Sequence, residues 1–197
     1  MTHVTRTELY DLCTEAALAS LQLLANAYTS GDVYAFVFLA SSGYEAIAFA
    51  YGTRSELQKE ENTDLKDLEQ LLKTHPHLLQ VANTCRTSDF YAEVNAVEWR
   101  NDIKLSRKLA NSNKIIKKFS AGASPSKSAE IIQGVLLDVV LALRQTTLIR
   151  QPAFSNDMLL GVQFPDPLPD EISEVLRISR VVNSDFWHKK MEDGYGI

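Results

Sequence analysis

The chain has 197 residues, 45% of them hydrophobic and 23% charged, which excludes collagen-like, low-complexity and largely disordered chains. At this length one α+β domain spanning residues 1–197 is expected, burying roughly 70% of the unfolded surface without covalent staples. The net charge of −5 is unevenly placed: −8 over residues 1–99, +7 over 100–127 and −4 over 128–197, so one basic segment sits in an acidic chain.

The first predicted element is a helix from near Thr7 to Tyr28. Glu8 and Asp11 lie in its first turn, where they complement the macrodipole, with Thr7 as N-cap. Leu9, Leu12, Cys13, Ala16, Ala17, Leu21 and Leu24 recur at three- and four-residue spacing and predict a broad buried face. Thr29-Ser-Gly-Asp32 stops it. Residues 33–40 and 44–51 are β-branched and aromatic, and the intervening Ser41-Ser42-Gly43 predicts a hairpin. Ile47, Phe49 and Tyr51 alternate against Ala46, Ala48 and Ala50, small enough for a helix to pack closely.

An acidic helical region follows over 55–74, ended by His75-Pro76-His77 because proline disfavours helix at the residue before it. Alternation over Phe90 to Trp99 predicts a third strand, with Ala92, Val94 and Ala96 on one face. From 102 to 119 the pattern is helical, with Leu105, Leu109, Ile116 and Phe119 inward and Lys104, Arg107, Lys108, Lys114 and Lys118 on the other side. A small-residue loop over 120–126 leads to an apolar helix over 128–147; residues 158–164 suggest a fourth strand and 170–182 a short helix. The expected architecture is a small, mainly antiparallel sheet, starting with the 33–51 hairpin and covered by several helices.

Motifs that would announce chemistry are scarce. Gly122-Ala-Ser-Pro-Ser-Lys127-Ser128 is one residue short of a phosphate loop and lacks its second glycine, so an interhelix loop is the better reading. His75 and His77 have no CxxC, HExxH or carboxylate–histidine partner nearby, so no metal or cofactor is expected. Asp138 shares a helical strip with Glu130, Gly134 and Gln145 and should face solvent. Cys13 and Cys85 form no CxxC pair and are too few for a disulfide scaffold. No apolar h-region opens the chain, and its most apolar run, 135–143, falls far short of the about 20 residues of a membrane span. A cytoplasmic protein is expected, with no membrane partner.

Three places resemble an uncharacterised bacterial domain family associated with polymorphic toxin and immunity gene neighbourhoods: Asp32-Val-Tyr-Ala-Phe-Val-Phe-Leu39 after the first helix, Tyr91-Ala-Glu-Val-Asn-Ala-Val-Glu-Trp99, and Leu176-Arg-Ile-Ser-Arg-Val-Val-Asn183. A second tryptophan that often precedes the position of Trp99 in that pattern is missing. The resemblance implies an intracellular partner-binding role and names no catalytic residue.

The expected function is therefore a non-catalytic protein-binding domain, immunity-like, that occludes a cognate toxin. Its acidic residues Glu60, Glu61, Asp64 and Asp67 would steer in a basic protein by long-range attraction. An enzyme or nucleotide-binding protein with a site assembled across the fold, or a structural subunit of a larger assembly, is the alternative. Nucleic acid fits the basic segment but is opposed by the −12 carried by the rest of the chain.

Overall fold

A computed structural model describes residues 5–59, 93–96, 99, 103–122 and 124–196. Helix α1, Arg6–Ala27, starts at Thr5, whose hydroxyl accepts from the Glu8 N–H at 3.2 Å and satisfies one of the donors that every helix start leaves open. Its apolar stripe buries Leu9, Cys13, Ala16, Ala17, Leu21 and Leu24. The chain then turns through Ser30 and Gly31, both with positive φ, and enters the sheet.

Strand β1, Val33–Ala40, is buried on both faces apart from Leu39, as its unbroken apolar run requires of a central strand. It pairs antiparallel with β2, Ile47–Thr53, in the predicted hairpin. The connection is longer than the three residues the sequence suggested. Ser41 closes it, donating its N–H to the Ala46 carbonyl and accepting the Ala46 N–H on its hydroxyl, both at 2.9 Å. Gly43 and Tyr44 inside the connection have φ of 69° and 58°.

On its other edge β1 pairs with β3, Phe154–Gln163, giving the order β2-β1-β3. That pairing is parallel, so the α+β fold has the expected small sheet with its antiparallel hairpin, but the sheet is mixed and not purely antiparallel. A parallel partner must arrive by a crossover, and helices α2, Ala110–Gly122, and α3, Pro125–Gln145, lie in this one. α2 follows a helical turn, Ile103–Ser106, and a 3-10 turn, Arg107–Leu109. Much of the expected loop over 120–126 is helical instead, because α2 continues to Gly122 and Pro125 opens α3 from its first turn, where its missing N–H costs nothing. After β3 come α4, Pro169–Val182, and α5, Asp185–Tyr195; the latter was not anticipated. α1 packs against α3, and α4 against β3 and α5.

The segment expected as a third strand is different. Glu93 and Val94 are helical and Ala96 is in a turn, while residues 90–92 lie outside the described residues. Val94 and Ala96, which the alternation puts on one face, are both buried. Strand pairing is replaced there by one side chain: buried Gln163 donates to the Val94 carbonyl and accepts the Ala96 N–H, both at 2.8 Å.

The same device recurs at both sheet edges. Asn113 of α2 accepts the Ile47 N–H and donates to the Ile47 carbonyl, each at 2.8 Å. Asn183, just past α4, accepts the Leu160 N–H at 2.9 Å and donates to the Leu160 carbonyl at 2.8 Å. A primary amide presents the same donor–acceptor pair as a peptide group, so each side chain stands in for one residue of a missing strand and covers a strand edge.

Tyr34 sits where β1 shifts register against both neighbours, a bulge that re-aims its ring. The ring stacks on Trp187 at 5.7 Å and meets Trp99 edge-on at 6.0 Å. It also covers Gly52 so closely that a Cβ there would stand 2.7 Å from Tyr34 Cζ.

Candidate functional site

Glu60, Glu61, Asp64 and Asp67, the residues expected to meet a partner, lie outside the described residues, as do His75 and His77. Described residues 54–59 are helical and carry the start of the acidic region. Asp32 anchors that start, accepting the Ser55 N–H and the Ser55 hydroxyl, each at 2.9 Å.

The basic segment is where the described structure places its clearest surface feature. Residues 103–129 contain seven Lys and Arg and no Asp or Glu. Leu105, Leu109, Ile115 and Ile116 are buried, and Asn113 is fixed on the β2 edge, so the backbone of this helix is locked. Arg107, Lys108, Lys114, Lys117, Lys118 and Lys127 are all exposed. None of the six forms an ion pair with a described carboxylate; Lys114 reaches only the Asn111 side chain, at 3.4 Å. Several cations elsewhere are engaged. Arg6 on α1 pairs with Asp138 on α3, both half-exposed, which places Asp138 at the surface as expected. Arg177 grips Glu174 through two bonds of 2.7 and 2.8 Å, and Arg180 meets Glu192 at 3.3 Å.

Two further polar clusters are tied into the framework. Lys190 of α5 is ion-paired with Glu93, and its ammonium lies 5.0 Å from the Phe186 ring centre and 5.5 Å from that of Trp187. The Arg54 guanidinium stands 3.9 Å from Glu93 and 5.4 Å from the Tyr34 ring centre. In the second cluster Arg144 donates to the carbonyls of Val182 and Met158 and to Asn183 Oδ1, at 3.0, 2.8 and 2.8 Å. Burial lowers its pKa from the usual guanidinium value, and the charge of Asp157 partly offsets this. Asp157 in turn accepts the Ser184 hydroxyl at 2.6 Å and, through its carbonyl, the Trp187 indole N–H at 2.8 Å. This network latches α3, β3 and the α4–α5 corner together.

Among the described residues, Cys13 and Tyr44 are buried. Burial pushes the Cys13 thiol up to about 11, so at neutral pH it is an inert apolar group. Tyr44 is buried, its hydroxyl has no hydrogen-bond partner, and burial followed by Glu174 and Glu171 raises its pKa well above the usual phenol value. His188 Nε2 accepts from Arg180 at 3.1 Å and lies 3.4 Å from Glu192.

Two clefts flank the Thr29–Asp32 turn and share Ser30 and Gly31 as a wall. One, of about 420 Å³, runs between the end of α1 and the 54–58 segment and includes Arg54, Ser55 and the Asp32 carboxylate. The other, of about 410 Å³, is bounded by Arg150, Gln151, Pro152, Phe154, Ser155 and Asn156, with no acidic residue. Its two walls are stapled together: Gly31 N–H donates to the Pro152 carbonyl at 2.6 Å and Val33 N–H to the Ala153 carbonyl at 3.0 Å.

Comparison of the chain with protein-family models, curated proteins and solved structures returns no match. Among the described residues no helix is long and apolar enough to cross a membrane, and no group of three or more His, Cys, Asp or Glu is placed to hold a metal ion.

Proposed function

We propose that this chain is a non-catalytic binding domain for another protein, immunity-like and acting in the cytoplasm. The observation that supports the reading is the segregation of charge: six exposed cations without a described carboxylate partner, three of them on α2 and the others in the turn before it and at the start of α3, in a chain whose residues outside 100–127 carry −12. A long polyanion crossing that face would be repelled by the acidic remainder wherever the two come within a Debye length, about 10 Å at 0.1 M salt. A folded partner with an acidic patch of its own can meet the cations alone. Glu60, Glu61, Asp64 and Asp67 are the proposed steering contacts for basic segments of such a partner.

The test is photo-crosslinking in the native cell. A benzophenone side chain is placed at Lys114 or Lys118 and, as a control, at exposed Leu23 on α1. One discrete protein adduct from the α2 positions, absent from position 23, is the expected result. Reversing Lys114, Lys117 and Lys118 to Glu should then slow association with that protein at least about tenfold at low salt and much less at high salt. No adduct, or adducts that a nuclease removes, would refute the reading.

A further inference from the structure

The cleft beside Arg150 has the chemistry of a ligand site, and that chemistry does not depend on the binding-domain reading. Five of the seven described arginines are committed: Arg6, Arg54, Arg177 and Arg180 to carboxylates, Arg144 to carbonyls. Arg107 and Arg150 are not, and Arg150 lines one of the two clefts beside the Thr29–Asp32 turn, whereas Arg107 lines neither. Around it stand Ser30, Gln151 and Asn156, whose side chains make no hydrogen bond within the protein, and Ser155, whose hydroxyl reaches the Asp157 carbonyl only at 3.4 Å. No carboxylate lines the space. The neighbouring cleft differs in that respect, because Asp32 puts a negative charge into it.

We infer that this cleft is an oxyanion site that takes the phosphate group of a small molecule. The guanidinium fork matches two oxygens of a tetrahedral oxyanion with charge-assisted bonds. The hydroxyls of Ser30 and Ser155 and the amides of Gln151 and Asn156 supply more donors than the two oxygens of a carboxylate would use, whereas a phosphate has three terminal oxygens to satisfy. The walls are held by the backbone bonds from Gly31 and Val33, so the backbone that carries the donors is fixed before the ligand arrives and the ordering cost on binding is confined to the side chains. A volume of about 410 Å³ is in the range of small-molecule sites and leaves room beyond the phosphate for a small hydroxylated body.

The experiment is a titration of the full chain with glucose 6-phosphate, inorganic phosphate, glucose and acetate, followed by the amide NMR signals of Gly31, Ser155 and Asn156. Saturable shifts at these amides with either phosphate species are expected, and the tighter of the two identifies the source as a monoester or the free ion. Glucose and acetate should bind at least about tenfold more weakly. Arg150→Ala should weaken phosphate binding at least about tenfold, since a charge-assisted bond is lost. Arg107→Ala, which removes the other uncommitted guanidinium, should change it less than about twofold, because that residue lies outside the cleft. Unsaturable shifts, equal losses in the two variants, or acetate binding as well as phosphate would overturn the assignment.

Discussion

Replacing Asn183 by Ala tests whether a side-chain amide truly substitutes for a strand. Asn183 is half-buried and its Oδ1 serves two donors, the Leu160 N–H at 2.9 Å and an Arg144 N–H at 2.8 Å, while its Nδ2 donates to the Leu160 carbonyl at 2.8 Å. Truncation leaves all three groups short of a partner in a place where water has partial access. Each orphaned group costs about 1–3 kcal/mol, and partial access puts these three near the low end, so about 3–4 kcal/mol in all is expected. That is a large part of a domain stability of about 5–15 kcal/mol. In urea unfolding followed by the fluorescence of Trp99 and Trp187, the midpoint should fall by about 1.5–2 M, given a slope near 2 kcal/mol/M. Asn183→Asp keeps the acceptor and gains charge on Arg144 but sets an oxygen against the Leu160 carbonyl, so it should lose about half as much. Asn113 covers the opposite edge, and Asn113→Ala should add to Asn183→Ala within about 0.5 kcal/mol because the two sites share no partner. An Asn183→Ala loss under about 1 kcal/mol would refute the argument, since water would then serve the strand edge as well as the amide does.

Gly52→Ala should cost about 1–3 kcal/mol and change the near-UV circular dichroism, because its Cβ would drive the Tyr34 ring off Trp187; Gly161→Ala, with nothing within 4 Å of the added carbon, should leave both nearly unchanged. Cys13 should resist iodoacetamide at pH 8 in the folded protein and react on denaturation, read by peptide mapping. Its pKa is raised on folding, from an ordinary 9.0 to about 11, so its contribution is complete below about pH 9 and lost as pH climbs to 11. Stability measured against Cys13→Ala should therefore fall by about 2–3 kcal/mol over that window, and a flat difference would place the thiol in water.

Where a segment's pattern depended only on its own residues, the sequence reading came close. α1 and the hairpin strands follow from helical spacing and from a β-branched, aromatic run, and Phe36, Phe38 and Phe49 pack together as that run implies. The start of β2 was misplaced because Tyr44 takes a left-handed backbone that a bulky residue seldom adopts. At 93–96 the alternation reported burial rather than pairing, and the partner that decides the backbone, Gln163, is remote in sequence. Parallel pairing of β3 is likewise a matter of topology that no local spacing encodes. α5 did have a local signal: Ser184 caps its start and Gly196, at φ 72°, its end. Of the candidate surfaces, the basic face was visible as a charge run, whereas the Arg150 cleft was not, because its walls meet only when residue 31 reaches residue 152.

The order in which the strands leave the ribosome gives the mixed sheet a biological cost. β1 and β2 can close on each other within moments of synthesis, but the parallel partner of Phe38 is Val162, which is made some 120 residues later. Until then the nascent hairpin offers an open edge on an almost wholly apolar strand, the kind of template that recruits foreign strands. Slow translation of the long crossover would lengthen that exposure, so aggregation during synthesis, rather than unfolding of the finished protein, is where this topology is most vulnerable.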